Sequence, residues 1–420
     1  MFAAPLRCLA PAALAAAVLL SVSQPSPGGG AAQADRPTAT SSPSVRFSGG
    51  SPVRALLAQP AAKPCWAVGD AGLILRSDDA GKTWKQIQSS VTAHFQAVTV
   101  SDGAVCLYGG RAVPGHPAGA GRPVLLRTDD EGESFRQIRV PEAGWLYGGA
   151  LAGESAVVFG QATAACPGGV WRSVTGGTLW SALPVRSRGS LLGGDFRTSR
   201  LGCLVGQDYR IVGVRDLREA LVQPPAVDSA LSLRAVRIIE GNTCWVVGDN
   251  GSVLRGEVGQ RAWPRVRAAI PRGLGRCADF ETITIDAPNR IWIAGGLLGV
   301  VAHSADAGKT WKLLPAPSPG AIHALGHVEG DVLLAAGDAG RIWRSTDAGQ
   351  TWKLTHGRPA TDVLFVLAAT DRTVYPAIVA HSLSGAGVAV VYATRPRSTA
   401  GSPPDQPLRA AASAAGAAAS

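Results

Sequence analysis

Charged residues make up 17% of the 420-residue chain and apolar residues 46%, which excludes a chain disordered throughout and supplies ample material for a core. Lys and Arg number 40 against 30 Asp and Glu, and the net charge of +10 favours an acidic partner, anionic lipid or nucleic acid without choosing among them. The 52 glycines and 29 prolines are scattered through the middle, so the chain turns often and its elements are short.

Arg7 precedes an apolar run from Leu9 to Val22 that is too short to span a bilayer and gives way to Ser, Pro and Gly. Residues 1–34 therefore read as a secretory signal and export region, with cleavage after Ser21-Val22-Ser23 or after Ala32-Gln33-Ala34, and the protein as periplasmic or extracellular. Residues 35–52 read as a flexible linker, and 398–420 as a disordered Ala-rich tail, because neither carries the apolar content to offset ordering entropy.

Between them the chain repeats itself. Cys65-Trp66-Ala67-Val68-Gly69-Asp70 returns as Cys244-Trp245-Val246-Val247-Gly248-Asp249, and an apolar run ending in Gly recurs at Gly69, Gly109, Gly160, Gly206, Gly248, Gly295 and Gly337. A second landmark keeps step, since Trp84, Trp263 and Trp352 each follow their glycine by 15 residues and Trp311 by 16. Within the first copy, Val53 to Ala58, Cys65 to Val68, Leu73 to Ser77 and Trp84 to Ile87 are short apolar or alternating segments bounded by turn residues. No helical stripe outlasts a turn. Four strands at this period predict an all-β fold, a seven-bladed β-propeller of four-stranded antiparallel blades over residues 53–357. Residues 358–397 depart from the repeat and read as a closing strand or the stub of an α/β unit, with Val363 to Ala369 and Gly387 to Ala393 as strands and Thr373 to Leu383 as a possible helix.

The turn between the third and fourth strands carries Ser77-Asp78-Asp79-Ala80-Gly81-Lys82-Thr83-Trp84. The pattern returns with Ser304, Asp306, Gly308 and Trp311, and with Ser345, Asp347, Gly349 and Trp352. Looser copies keep Asp130 and Gly132 in the second repeat and Gly177 in the third. Asp accepts hydrogen bonds from backbone N–H groups just ahead of it, Gly takes a backbone angle costly for other residues, and Trp packs across the hairpin. This pattern resembles the Asp-box, or bacterial neuraminidase repeat. Joined to Trp-x-Val-Gly-Asp, it resembles most closely the photosystem II stability and assembly factor family, whose members are seven-bladed propellers. The resemblance implies a non-enzymatic scaffold on the exported side of a membrane, binding a protein partner or an unfinished membrane-protein complex, as a monomer without cofactor, metal, nucleic acid or small-molecule substrate.

A basic residue stands before the Asp-box position in six copies: Arg76, Arg127, Arg172, Arg255, His303 and Arg344. Equivalent positions in a closed ring form a candidate partner-binding basic ring, against the plainer reading that a copied motif copies its Arg. Gly81-Lys82-Thr83 lacks the earlier glycine of a phosphate-binding loop, Arg76 standing in its place. Sialidases share the Asp-box and set up the enzymatic alternative of a glycan-acting hydrolase, beside that of a structural cell-surface propeller. Their Phe/Tyr-Arg-Ile-Pro signature is missing, since Phe135-Arg136 and Phe196-Arg197 continue into Gln137 and Thr198. Asp279, Glu281 and Asp286 are the carboxylates most open to a chemical role, on a predicted innermost strand. His323 and His327 share one strand face but lack an evident third metal ligand. Cys65, Cys106, Cys203 and Cys244 recur on nearly the same strand of different copies, which with Cys166 and Cys277 favours buried free thiols over disulfides.

Overall fold

The computed structural model describes residues 50–113, 121–141, 143–185, 188–222, 231–259, 263–266, 279–296, 299–317, 320–358, 364–370 and 373–379. The signal region, the Ala-rich tail, Cys277 and the strand expected at Gly387 to Ala393 lie outside them. Seven antiparallel sheets follow one another along the chain, six of four strands and the fifth of three. In the fifth, a bridge between Leu254 and Arg265 stands where the outermost strand belongs. The inner strands are Val53–Leu57, His94–Ser101, Leu146–Ala152, Leu191–Thr198, Leu233–Ile238, Phe280–Ala287 and Ile322–Glu329. Each lies against the inner strand of the next blade, and the seventh lies against the first, so the ring closes as a seven-bladed β-propeller. Every blade is one continuous stretch of chain.

The core is distributed as apolar layers between successive blades rather than gathered in one place. Trp66, Val68 and Ile74 of blade 1 pack on Phe95, Leu107 and Leu126 of blade 2. The ring closes through Val53, Ala67 and Leu75 of blade 1 against Ala324, Ala336 and Ile342 of blade 7. The second strand of each blade, covered on both faces, is buried almost residue for residue, which explains its unbroken apolar run. Inner strands also tie to their neighbours by polar groups. Ser101 accepts the N–H of Leu151, Asp195 that of Ile238, and Thr282 and Thr284 those of Leu325 and His327.

The seven landmark glycines share one cause. At each, a Cβ would collide with the carbonyl of the residue that leads into the same blade's inner strand: Pro52, His94, Trp145, Ser190, Ser232, Asp279 and Ala321. That close approach goes with a bulge in the inner strand one step later, where a single residue drops out of register in every blade. Gly is needed there for space.

Cys65, Cys106, Cys166, Cys203 and Cys244 are free and buried. Burial raises the Cys106 thiol to about 11. Beyond the ring, Leu364–Thr370 and Thr373–Val379 pair as a hairpin with each other and with no blade. The helix expected over Thr373 to Leu383 is thus a strand over Thr373–Val379, in keeping with its Thr, Val, Tyr and Ile content. Replacing Gly248 by Ala should cost about 1–3 kcal/mol, because the new methyl meets the Ser232 carbonyl and the Leu233 Cα, neither of which can rotate away. Urea unfolding of the variant checks it, and unchanged stability would mean that the bulge relaxes.

Candidate functional site

The bulge residues are Arg54, Gln96, Tyr147, Leu192, Arg234, Glu281 and His323, one from each blade at the same step of its inner strand. They surround one end of the ring's axis. Three are charged or titratable partners of the Asp that follows their own blade's landmark glycine. Arg54 pairs with Asp70 at 2.7 Å, Arg234 with Asp249 at 2.5 Å, and His323 Nε2 with Asp338 at 2.9 Å. The same Asp carboxylates hold the strand entry, Asp249 accepting the Ser232 N–H and Asp338 that of Ala321. In blades 3 and 4, Gln161 and Gln207 accept the N–H groups of Trp145 and Ser190 in that way.

The pairs link up across blades. His323 Nδ1 reaches Glu281 of blade 6 at 2.7 Å, Arg54 Nη1 of blade 1 lies 3.4 Å from His323 Nε2, and His94 of blade 2 approaches Asp70 at 3.3 Å. A line of ionisable groups, Glu281–His323–Asp338–Arg54–Asp70–His94, thus spans blades 6, 7, 1 and 2. Burial lowers the His323 pKa, but the bonds to Asp338 and Glu281 outweigh it and raise it to about 9, so at neutral pH the imidazolium donates to both carboxylates. Burial works against the Asp338 charge, yet the His323 hydrogen bond prevails and holds that carboxyl below its usual value. Asp279 moves the other way, pushed up by burial and further by Asp249 and Glu281, with the Asn250 N–H opposing.

The Asp-box residues carry out local turn chemistry. Ser77 Oγ accepts the Gly81 N–H at 2.8 Å and donates to Asp79, which accepts the N–H and hydroxyl of Thr83. Ser304, Asp306 and Gly308 repeat this geometry, as do Ser345, Asp347 and Gly349. Asp130 does the same work with Thr128, Gly132 and Ser134, and its pKa falls to about 2 under those bonds. In the third copy the Thr175 hydroxyl stands in for the absent Asp and accepts the Leu179 N–H at 2.8 Å. The indoles divide: Trp311 bonds its own turn at Gly308, whereas Trp84 reaches Thr355 of blade 7 and Trp352 reaches Pro315 of blade 6.

The basic ring lies on blade junctions. Arg76 donates to the Glu131 carbonyl of the next blade, Arg172 to the Leu217 carbonyl and Arg344 to the Ala80 carbonyl, at 2.7 to 2.9 Å. Those three carbonyls belong to residues with φ near +57°, the apex of each neighbour's turn. Where blade 6 carries His303 instead, Trp292 Nε1 takes the equivalent carbonyl, that of Ala348, and His303 stacks on the Trp292 ring at 4.6 Å. Arg127 pairs with Asp129 on its own turn, and Arg255 lies over the Trp245 ring at 5.6 Å. Arg76, Arg172 and Arg344 are therefore engaged in closing the ring.

Asp286 is bound by Arg290 at 2.9 Å and faces His327 at 3.6 Å, away from the axial cluster. His327 also bonds the Gly330 carbonyl, so the two histidines serve different ends of one strand. No set of three or more His, Cys, Asp and Glu suited to a metal ion occurs among the described residues. Arg54, Arg234 and the three post-glycine Asp residues were missed as a site from the sequence. Their signal was there: a basic residue recurs 15 or 16 positions before each Gly-Asp aspartate, at Arg54, Arg234 and His323.

Residues 222–383 match the family described as photosynthesis system II assembly factor YCF48. A solved structure of YCF48 bound to a D1 peptide is 17% identical, covering 71% of this chain and 95% of that one with a TM-score of 0.53. YCF48 from Cyanidioschyzon merolae is 17% identical over 71% of this chain and 96% of its own, with a TM-score of 0.52. The GH74 xyloglucanase from Xanthomonas campestris is also 17% identical, with a TM-score of 0.58, but the matched region is 80% of this chain and 59% of that enzyme. At these identities the solved structures share the fold. No curated protein matches the sequence.

Two measurements test the arrangement. Arg344→Ala should lose about 1–2 kcal/mol by stripping the Ala80 carbonyl of its partner, while Arg127→Ala, whose ion pair stays on one turn, should change stability by under about 0.5 kcal/mol. Because the folded-state pKa of His323 is raised above its unfolded value of about 6.5, its contribution is complete below that pH and fades as pH climbs through about 9. Wild type should therefore lose stability over that alkaline window and His323→Gln should not. Parallel curves for the two would remove His323 from the account.

Proposed function

We propose that this chain, a β-propeller of the photosystem II assembly factor-like family, is a non-enzymatic scaffold that works after export and holds a protein segment of a membrane-protein complex against its axial face. The observation that carries this reading is the polar line at the axial mouth, where five side chains from three blades present charges of both signs side by side and His94 of a fourth blade adjoins them. Such a surface selects a partner by charge register, and the rigid closed ring spares it most of the ordering cost of binding. Bound-peptide recognition by a propeller of the same family supports a peptide-like partner. The basic residues at the Asp-box turns act as structural ties in this reading and contribute little to contact.

Catalysis is poorly served by the same cluster. Glycoside hydrolysis needs a protonated carboxylic acid and a second, available carboxylate. Asp70, Asp249 and Asp338 are each clamped by a cation, and Glu281 by His323. Asp279, with its raised pKa, and the likeness of the fold to GH74 propellers favour the hydrolase reading.

The test is to purify the tagged full-length protein from membranes of its own cells, wild type beside Arg54→Glu/Arg234→Glu, with Lys85→Glu on the exposed outermost strand as control. Wild type and K85E should recover the same membrane complex and the double variant should lose it. Equal recovery by all three would place the partner elsewhere. Release of reducing ends from xyloglucan, or turnover of a fluorogenic sialoside, by purified wild type but not Asp279→Asn would replace the scaffold with a hydrolase.

A further inference from the structure

Past the bulges, the seven inner strands run on along the axis and enclose a channel of about 420 Å³. Ala58, Gly149 and Gly326 leave part of its wall as nearly bare backbone, and Leu56, Val98 and Leu325 add apolar groups to a wall whose exposed surface is mostly polar. One charge on this wall stands apart. The Arg237 guanidinium has a single bond, from Nη1 to the adjacent Val236 carbonyl at 3.3 Å, and pairs with no carboxylate among the described residues. Its polar neighbours are committed: Ser101 holds Leu151 N–H, Thr284 holds His327 N–H, and His327 bonds Gly330. Asp195, on the same wall one blade away, gives Oδ2 to the Ile238 N–H at 2.7 Å and keeps its other oxygen.

We propose that this channel receives a carboxylate carried on a slim, extended peptide segment with small side chains, with Arg237 as its cation. The inference rests on the reading of the propeller as a peptide-holding scaffold and adds the chemistry of what is held. A half-buried guanidinium without an acid is one ionic partner short, and its planar fork matches a carboxylate in two parallel hydrogen bonds. The channel is too large for a small anion alone. An extended chain rises roughly 3.3 Å per residue, so a few residues with small side chains fill the remaining length, their backbone groups facing the mostly polar wall. Asp195 opposes an anion on its own side and accepts an N–H from the incoming backbone, which sets the direction of entry. The carboxylate can be a chain terminus or an Asp or Glu side chain, and the experiment separates them.

Three dye-labelled peptides of common sequence, Gly-Ser-Gly-Ser-Val-Ala-Val, are titrated against the full-length protein by fluorescence anisotropy. One has a free C-terminus, one is amidated, and one is amidated with Glu replacing the last Val. The free acid, the Glu peptide or both should bind at least about tenfold more tightly than the neutral amide, as a desolvated charge-assisted pair requires. Binding by the free acid alone assigns a terminus, and binding by the Glu peptide assigns a side chain. Arg237→Gln should erase the difference, Arg237→Lys should keep part of it, and neither should shift the melting temperature, since no ion pair is broken. Equal binding of acid and amide, an unaltered preference in R237Q, or no binding at millimolar peptide would each overturn the proposal. Recovery of the membrane complex by R237Q as well as by wild type, alongside such a result, leaves the scaffold standing and removes only the channel site.

Discussion

Seven times in this ring a backbone carbonyl sits where a side chain would have to be, against the glycine that ends the second strand of its blade. Much of the molecule follows from that approach. It goes with a bulge in the inner strand, and the bulge takes one residue per blade out of the alternation that governs the others. That residue need not be apolar, because the bulge frees it from the alternation that feeds the layer between blades, although Tyr147 still packs on that layer. Evolution can therefore place Arg, Glu, His, Tyr or Gln there without loss of core. In blades 1, 5 and 7 the Asp after the glycine then meets the bulge residue at short range, and a fold with apolar layers between its blades acquires a charged mouth.

The outer turns solve a different problem. A propeller whose blades are each one stretch of chain has no exchanged strand to lock it, so the seventh blade must grip the first by side-chain contacts. The Asp-box shapes a turn whose apex residue, at φ near +57°, points its carbonyl out of the sheet. An Arg from the preceding blade then takes that carbonyl, as Arg344 takes Ala80 across the closing seam. At two junctions, Arg76 with Glu131 and Arg344 with Ala80, motif and basic residue are two halves of one contact, whereas Arg127 stays on its own turn. The hydrogen bonds to Asp79, Asp130, Asp306 and Asp347 keep the turn rigid enough for the carbonyl to stay in place.

These two devices divide the molecule by role. Charges at the turns are absorbed by the architecture, whereas those at the mouth are paired with one another and still face the axis. The Arg237 guanidinium belongs to neither group. The same 40 to 51-residue unit supplies a rigid frame through its glycine and Asp-box and a chemically variable position through its bulge.

The sequence by itself determined the blade count, the four-strand plan and the turn chemistry, because these rest on contacts within one repeat, and a repeat written seven times shows its local rules as period. Gly69 through Gly337 and Trp84, Trp311 and Trp352 could be read off for that reason. It also marked Glu281 and His323 as unusual residues on an inner strand, yet gave no hint that they touch. The end of the ring was misjudged as well, with a helix expected where Thr373–Val379 is a strand. Only the tertiary structure decided that Arg76, Arg172 and Arg344 tie neighbouring blades, that Arg54 meets His323 across 269 positions, and that Arg237 has no carboxylate partner among the described residues. The physical reason is distance along the chain: a partner one blade away, or seven, is set by the curvature of the whole ring, and no window on the sequence contains it.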